Sequence, residues 1–328
     1  MSTRRVGPFE VQALGLGCMN LSHAYGVPPT REAAQGLLLR ALDAGIDFFD
    51  TAALYGFGAN ESLVGEVLAP HRHRFVLASK CGMQGVNGKR VIDGRPATLK
   101  ATCEDALRRL RTEVIDLYYL HRWDKQVPIE DSVGALSELV REGKIRAIGL
   151  SEVSSSTLRR AHAVHPIAAL QSEYSLWSRD VERGTLAACA ELGVAFVAFS
   201  PLGRGFLSAG VDDPASLPAN DIRRAMPRFQ AEAWAHNLAC LQGLRELASE
   251  QGCSMAQLAL AWVLQQGPAY GVQMLAIPGT TRLEHLLDNL GAAGVTLSSD
   301  LARRAAACMS GIQGARYAPA TFAEIDSD

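Results

Sequence analysis

The 328-residue chain has no marked excess of charge of either sign, because 32 Lys and Arg residues nearly balance 34 Asp and Glu residues and leave a formal net charge of −2. A chain without a basic surplus is not expected to bind nucleic acid or an anionic membrane surface through electrostatic attraction. The seven cysteines are scattered and include no C-x-x-C pair, which is typical of reduced thiols. We expect a small-molecule partner and a cytoplasmic location.

Targeting and catalytic signatures are also missing. Arg4 and Arg5 lead into a predicted turn at Val6-Gly7-Pro8, and not into the apolar run of a secretory signal. The uncharged stretch 251–281 is interrupted at residues 265–268, which favours a buried helix and then a buried strand over a membrane span. The chain has no P-loop and no G-x-S-x-G elbow. Its histidine pairs lack a third ligand at a suitable spacing, so no metal site is expected.

What the sequence does contain is an alternation of strand and helix patterns. The predicted strands cover residues 14–17, 46–49, 75–78, 115–120, 145–150, 167–171, 194–199 and 272–277. Eight strand-helix units in succession predict a parallel sheet that closes into a (β/α)8 TIM barrel. We expect a single domain over residues 1–328, with a long loop after strand seven (200–231) and a C-terminal helical extension.

An open, doubly wound sheet is the alternative architecture. That fold normally carries a G-x-G-x-x-G fingerprint after its first strand. Here Gly15 and Gly17 are followed by Asn20, so the third glycine is missing. The barrel is therefore favoured, and it places catalytic residues at the carboxyl ends of its strands.

Four polar residues of complementary chemistry are predicted to meet at that end of the barrel. Asp50 follows strand two, Lys80 follows strand three and His121 follows strand four, while Tyr55 lies in the loop after strand two. Each residue alone has an ordinary structural explanation. Three consecutive strands that end in an acid, an ammonium group and an imidazole nevertheless indicate a catalytic site.

These residues lie in segments that resemble the aldo-keto reductase family, and in particular the bacterial and plant branch that includes pyridoxal- and perakine-reductase-like enzymes. The similar segments fall within residues 6–312 and comprise GLGCMNLSHAYG from Gly15, FFDTAALYG from Phe48, ASKCG from Ala78, IDLYYLHRWD from Ile115, GKIRAIGLSE from Gly143, LQSEYSLW from Leu170, AFSPLGRGFL from Ala198 and IPGTTRLEHLLDNLGA from Ile277. The resemblance implies a catalytic tetrad of Asp50, Tyr55, Lys80 and His121, the four residues selected above.

The resemblance also implies the chemistry, which is reduction of aldehyde or ketone carbonyls by hydride from NADPH, with NADH as a weaker alternative. Tyr55 would be the general acid. We expect the ammonium of Lys80, held by Asp50, to lower the pKa of this phenol from about 10 toward the working pH. A neutral His121 would orient the carbonyl oxygen by donating a hydrogen bond.

A cofactor site at the ends of strands five to eight is implied in the same way. It comprises Ser151, Gln171 and Phe199 for the nicotinamide, Ser200, Leu202, Gly203 and Arg204 for the pyrophosphate, and Gly279, Thr280, Arg282, His285, Asp288 and Asn289 for the adenosine end. Arg282 is the expected anchor of a 2′-phosphate. Two positions depart from the pattern of many members, since Phe199 replaces a tyrosine and Glu152 replaces an asparagine.

The substrate pocket is expected to include Met19, Tyr25 and Trp123, together with the loop after strand seven and the C-terminal tail. Two other functions remain open. Lys80 could act as the nucleophile of a Schiff-base enzyme, although pairing with a carboxylate would keep it charged. Alternatively, the protein could be a cofactor-binding regulatory subunit with little activity of its own.

Overall fold

The central element of the protein is a parallel sheet whose strands are connected by helices. The structure, a computed structural model, describes residues 2–22 and 24–328. Its strands are β1 (Thr3–Val6), β2 (Phe9–Gln12), β3 (Leu16–Gly17), β4 (Phe48–Asp50), β5 (Val76–Cys81), β6 (Met83–Val86), β7 (Lys89–Ile92), β8 (Ile115–Leu120), β9 (Ile145–Ser151), β10 (Ile167–Glu173), β11 (Ala195–Phe199) and β12 (Met274–Ala276).

The helices lie between and after these strands. They are α1 (Arg31–Asp43), α2 (Ala59–Leu68), α3 (Pro96–Leu110), α4 (Ile129–Arg141), α5 (Ser155–Val164), α6 (Thr185–Leu192), α7 (Ala231–Gln251), α8 (Met255–Tyr270), α9 (Leu283–Gly291), α10 (Ser299–Cys308) and α11 (Pro319–Phe322). Helix α4 shows why they form, since its buried residues Ile129, Val133, Leu136 and Leu139 recur every three or four positions and give one apolar face.

The sheet closes on itself. Eight parallel strands lie in the order β3-β4-β5-β8-β9-β10-β11-β12. A parallel bridge joins Leu14 to Ala276, and two backbone hydrogen bonds of 3.0 Å connect Ala276 to Gly15 and to Ala13. Strand β12, the last of the sheet, is therefore hydrogen-bonded to the residues that lead into β3, the first. This closure confirms the predicted (β/α)8 barrel and excludes the open sheet.

Both faces of the barrel strands are buried, which accounts for their continuous apolar runs. All six residues of β8 are buried. Phe48, Leu117, Val197 and Leu275 belong to an apolar cluster that also includes Tyr119, whereas a much larger cluster combines other strand residues with helix residues. Each face of the sheet therefore contributes to a separate part of the core.

A hairpin of β1 and β2 precedes the barrel and was not predicted from the sequence. The predicted turn after Val6 is present and connects these two antiparallel strands. Val6 and Val11 are fully buried in the same cluster as Leu117 and Val197. The hairpin therefore extends the barrel's apolar interior.

The other segments that do not belong to the eight strand-helix units follow β5, β11 and α9. Strands β6 and β7 form a second hairpin, and the loop after β11 contains four short 3-10 turns between residues 203 and 229. The uncharged stretch near the end of the chain forms α8 and β12, both mostly buried as predicted. Within residues 2–22 and 24–328, no helix has the length and apolar character needed to cross a bilayer. The C-terminal extension contains α10 and α11.

Candidate active site

The ends of three neighbouring strands bring the predicted tetrad together. The fully buried Lys80 forms an ion pair with Asp50. Its Nζ also donates a hydrogen bond of 2.9 Å to the backbone oxygen of Thr51 and lies 3.3 Å from the hydroxyl oxygen of Tyr55. The imidazole of His121 meets the Tyr55 ring edge to face, with ring centroids 5.8 Å apart. An acid, an ammonium group, a phenol and an imidazole thus form one contiguous cluster.

The loop that carries Tyr55 is held by a buried asparagine that was not singled out from the sequence. Asn60 donates hydrogen bonds to the backbone oxygen of Cys18 (2.8 Å) and to Ser22 Oγ (2.9 Å), and it accepts one from Thr51 Oγ1 (2.6 Å). Three polar groups on two loops are therefore joined through one amide. Its position at the start of α2 was the only signal in the sequence, and that position also fits an ordinary helix terminus.

Burial has a larger effect on Tyr55 than was expected. Loss of solvent raises the pKa of the phenol, and this effect exceeds the opposing attraction of the Lys80 ammonium and of the Arg122 guanidinium, while the nearby Asp50 adds to the increase. The pKa of Tyr55 therefore lies above its ordinary value, and the prediction that it would be lowered toward working pH was wrong. The hydroxyl keeps its proton at neutral pH, which is the state that a general acid requires.

Lys80 remains an ammonium group in this environment. Burial by itself would lower the pKa of Lys80, but the charge of Asp50 and the hydrogen bonds to Asp50 and Tyr55 raise it above the usual lysine value. The second oxygen of Asp50 accepts a hydrogen bond of 2.8 Å from Gln171 Nε2. Asp50 thus links the tetrad to strand β10, where a nicotinamide contact was expected.

A cavity of about 1070 Å³ opens beside the tetrad. Its lining includes the predicted residues Asp50, Tyr55, His121, Ser151, Gln171, Phe199, Ser200, Leu202, Arg204, Gly279, Thr280, Arg282, His285, Asp288, Asn289, Met19 and Tyr25. Ligand cavities of this size are large enough for a dinucleotide and a small second molecule. The structure therefore brings nearly all of the predicted site residues to one space.

Besides the fully buried Lys80, two predicted residues lie outside this lining. Trp123 donates its indole hydrogen bond to the backbone oxygen of Val127 (2.8 Å), and the guanidinium of Arg160 lies over its ring. Its side chain is not part of the cavity lining, and its contact with substrate stays a prediction. Gly203 is buried at a positive φ of 56°, and a Cβ there would lie 3.0 Å from the ring of Trp177. Gly203 therefore lets the loop after β11 pack closely against Trp177, but its own atoms are not part of the cavity lining.

Thr280 and Arg282, which both line the cavity, organise the turn before α9. The backbone N–H of Arg282 donates a hydrogen bond of 3.1 Å to Thr280 Oγ1. The guanidinium of Arg282 is mostly exposed and forms an ion pair with Glu284. Asp288 accepts hydrogen bonds from Ser254 Oγ (2.9 Å) and Gln257 Nε2 (2.9 Å), so it ties α9 to the start of α8.

A buried ionic network joins the C-terminal tail to the barrel. Both carboxylate oxygens of Glu152 accept hydrogen bonds from Arg316, at 2.8 and 2.7 Å. Arg204, in the loop after β11, forms an ion pair of 2.9 Å with Glu173 and donates to the hydroxyl of Tyr317. The side chain of Glu152, where many similar sequences carry asparagine, is therefore committed to a salt bridge.

The loop after β11 also contacts the loop before α1. The backbone N–H of Ile222 donates to the oxygen of Ala24 (3.0 Å), and Asn220 Nδ2 donates to the oxygen of Gly26 (3.0 Å). Arg223 forms an ion pair with Asp221 inside the loop. These contacts connect two long loops that both contribute residues to the cavity.

The fold and the site together define a (β/α)8-barrel enzyme with a buried Asp-Tyr-Lys-His cluster at the carboxyl end of its strands. Residues 13–309 match the model of the aldo/keto reductase family. The chain belongs to that family and is an NAD(P)H-dependent oxidoreductase.

Individual relatives agree with this assignment. The chain is 45% identical over 315 residues to the probable aldo-keto reductase 1 of Glycine max, covering 94% of this chain and 89% of the relative. A glycerol dehydrogenase from Gluconobacter oxydans has a similar structure, with a TM-score of 0.85, 28% identity and coverage of 97% and 98%. An aldo/keto reductase from Klebsiella pneumoniae in complex with NADP and acetate gives a TM-score of 0.72, 27% identity and coverage of 96% and 97%.

Proposed function

We propose that this protein reduces the carbonyl group of small aldehydes or ketones to an alcohol with NADPH, and that Tyr55 is the general acid. The observation that carries the proposal is the Tyr55 hydroxyl, which lies 3.3 Å from the buried ammonium of Lys80 and lines the large cavity. A protonated phenol beside a fixed positive charge is suited to give a proton to a developing alkoxide.

The cavity residues fit a nicotinamide dinucleotide. The flat ring of Phe199 and the polar side chains of Ser151 and Gln171 line the cavity and could contact a nicotinamide. Thr280 and Arg282 line the same cavity and supply donors and a cation for a phosphate. When bound, NADPH supplies a hydride to the carbonyl carbon. The Klebsiella pneumoniae relative is described with NADP, which supports the same cofactor here.

Each tetrad residue has a separate task in this scheme. The Tyr55 O–H donates its proton to the carbonyl oxygen as the carbon gains the hydride, which leaves a phenolate that solvent protons later neutralise. Lys80 stabilises that phenolate, and Asp50 holds Lys80 in place. His121, which lines the same cavity, orients the carbonyl oxygen.

Two alternatives receive less support. A Schiff-base lysine must lose its proton before it attacks a carbonyl, but Lys80 is buried in an ion pair with a raised pKa. A purely regulatory, cofactor-binding role does not require a complete Asp-Tyr-Lys-His cluster, three of whose members line the cavity while the fourth, Lys80, is buried against Asp50. Loss of nicotinamide absorbance on mixing enzyme, NADPH and a simple aldehyde separates turnover from both alternatives, and no loss with a panel of aldehydes and ketones would contradict the proposal.

The raised pKa of Tyr55 leads to a prediction about pH. Carbonyl reduction uses the protonated phenol, which persists up to a pKa above the ordinary value, so kcat for reduction should change by less than about twofold between pH 6 and pH 9. Alcohol oxidation uses the phenolate, so its kcat should rise steadily over the same range. Steady-state rates in both directions test this, and a reduction rate that falls tenfold by pH 8 would contradict it.

Cofactor preference provides a second prediction. Arg282 is a cation of the cavity lining at the start of α9, so wild-type enzyme should bind NADPH more tightly than NADH, and Arg282→Ala should weaken NADPH binding about tenfold with little effect on NADH. Glu284 now pairs with Arg282 and competes with a phosphate. Glu284→Gln should therefore strengthen NADPH binding, by less than about fivefold because the pair is exposed. Fluorescence titration measures all five dissociation constants, and equal wild-type affinities for NADPH and NADH would refute the assignment.

A further inference from the structure

Arg122 lies beside the proposed reaction centre and has no part in the scheme above. It follows His121 directly after β8, is half-buried, and lines the same cavity as Tyr55. Its Nη1 donates hydrogen bonds to the backbone oxygen of His121 (2.6 Å) and to Ser151 Oγ (3.2 Å). One nitrogen of the guanidinium is thus fixed to two strand ends of the barrel.

The other arginines of the cavity wall are all neutralised. Each forms an ion pair with a carboxylate of the protein, namely Arg90 with Glu324, Arg204 with Glu173, Arg223 with Asp221 and Arg282 with Glu284. Within the part of the chain that the structure describes, Arg122 forms no such pair, and its Nε and Nη2 have no hydrogen-bond acceptor. Arg122 is therefore a cavity arginine whose charge is not already paired with a carboxylate of the described residues.

A guanidinium held in this way is suited to one kind of ligand. Because Arg122 is half-buried, its guanidinium loses part of its hydration. A carboxylate in the cavity would compensate for that loss through charge-assisted hydrogen bonds. The planar donor arrangement of arginine matches a carboxylate more closely than it matches a neutral carbonyl. Arg122 directly follows His121 and lines the same cavity as Tyr55, so a group that it binds would share that cavity with the reacting carbonyl.

We propose that Arg122 binds a carboxylate group of the substrate, so that the preferred substrates are oxo-carboxylates, in which an aldehyde or ketone and a carboxylate occur in one small molecule. This inference rests on the proposed carbonyl reduction and adds the substrate class. The alternative role for Arg122 is structural, because its hydrogen bonds also hold His121 and Ser151. The two roles predict different responses to a neutral substrate.

The test compares acids with their own methyl esters. A series of aliphatic oxo-acids, with one to four carbons between the carbonyl and the carboxylate, is assayed beside the matching esters, which keep the shape and lose the charge. Wild-type kcat/KM should favour the acid for at least one length. Arg122→Met should lower that acid-to-ester ratio about 10- to 100-fold, the value of hydrogen bonds to a charged group. Arg122→Lys should restore part of the ratio because it keeps the charge without the planar donors.

Two controls separate the outcomes. Arg90→Met removes a positive charge that is paired with Glu324 and should leave the ratio unchanged. NADPH affinity of Arg122→Met, measured by fluorescence, should remain within about threefold of wild type. An equal loss of activity on acid and ester, or a wild type without preference for any acid, would overturn the inference while carbonyl reduction stands. A wild type that reduces neither member of any pair would overturn the proposed function as well.

Discussion

Tyr55→Phe is expected to lower kcat for carbonyl reduction by about 100- to 10,000-fold, the usual contribution of a general acid. The substitution removes only the hydroxyl that lies 3.3 Å from Lys80, so the shape of the ring and the ion pair of Lys80 with Asp50 are kept. NADPH affinity should change by less than about threefold, because the lost interaction acts mainly in the transition state. Steady-state kinetics and fluorescence titration measure the two quantities.

Tyr118→Phe is the matched control for this experiment. Tyr118 is a fully buried tyrosine on β8 that does not line the cavity, so its substitution also removes a buried hydroxyl but leaves the proposed proton donor in place. Its kcat should stay within about threefold of wild type. Near wild-type activity in Tyr55→Phe would show that the proton comes from another group.

Arg316→Met is expected to lower the free energy of unfolding by about 3–5 kcal/mol, because it leaves the buried carboxylate of Glu152 without its cation. The side chains of Arg316 and Glu152 are 6% and 2% exposed, respectively, so water cannot replace the lost partner. Glu173 lies 3.8 Å from the same guanidinium and keeps its pair with Arg204. Urea unfolding followed by circular dichroism measures the change.

Two further variants make this prediction specific. In the Arg316→Met background, Glu152→Gln removes the unpaired charge and should recover at least half of the lost stability. Arg303→Met breaks an exposed pair with Asp300 and should cost less than about 1 kcal/mol. Similar losses in Arg316→Met and Arg303→Met would show that the tail is not held by the buried network.

The barrel could be predicted from the sequence because its strands and helices have strong local patterns. Strand β8 was predicted with its observed ends, since six consecutive residues are buried and a charged loop follows. The second strand begins two residues later and ends one residue later than predicted. Ile46 donates its backbone N–H to the oxygen of Ala41 near the end of α1, and the Asp47 carboxylate accepts from the backbone of Gln12. These contacts depend on the tertiary structure, which the local pattern does not report.

Some errors came from turn signals that were overlooked. Asn87 and Gly88, both at positive φ, form the turn of the β6-β7 hairpin, and this dipeptide is a strong hairpin signal. The sequence pattern predicts a helix over residues 181–192, but helix α6 begins only at Thr185, because Gly184 adopts a non-helical conformation. The Asn87-Gly88 turn signal was available in the sequence. The break at Gly184 became visible only in the backbone conformation.

The site was predictable wherever strand ends determine it. Asp50, Lys80 and His121 are each identified by the end of a strand, and the same rule applies to Arg122, one residue beyond His121. The contact between Arg316 and Glu152 spans 164 positions and leaves no periodic trace. The direction of the Tyr55 pKa shift was missed because it depends on burial, which outweighs the charge of Lys80.

The central claim is direct hydride transfer to a carbonyl bound at the tetrad, and an isotope experiment tests it most directly. Wild-type enzyme is mixed with an aldehyde and with NADPH that carries deuterium on one or the other face of the nicotinamide C4, and the alcohol is examined by mass spectrometry. We expect one deuterium in the alcohol from one labelled cofactor and none from the other, because a fixed site presents one face of the ring. An alcohol without deuterium from either cofactor, or no alcohol at all, would contradict the account.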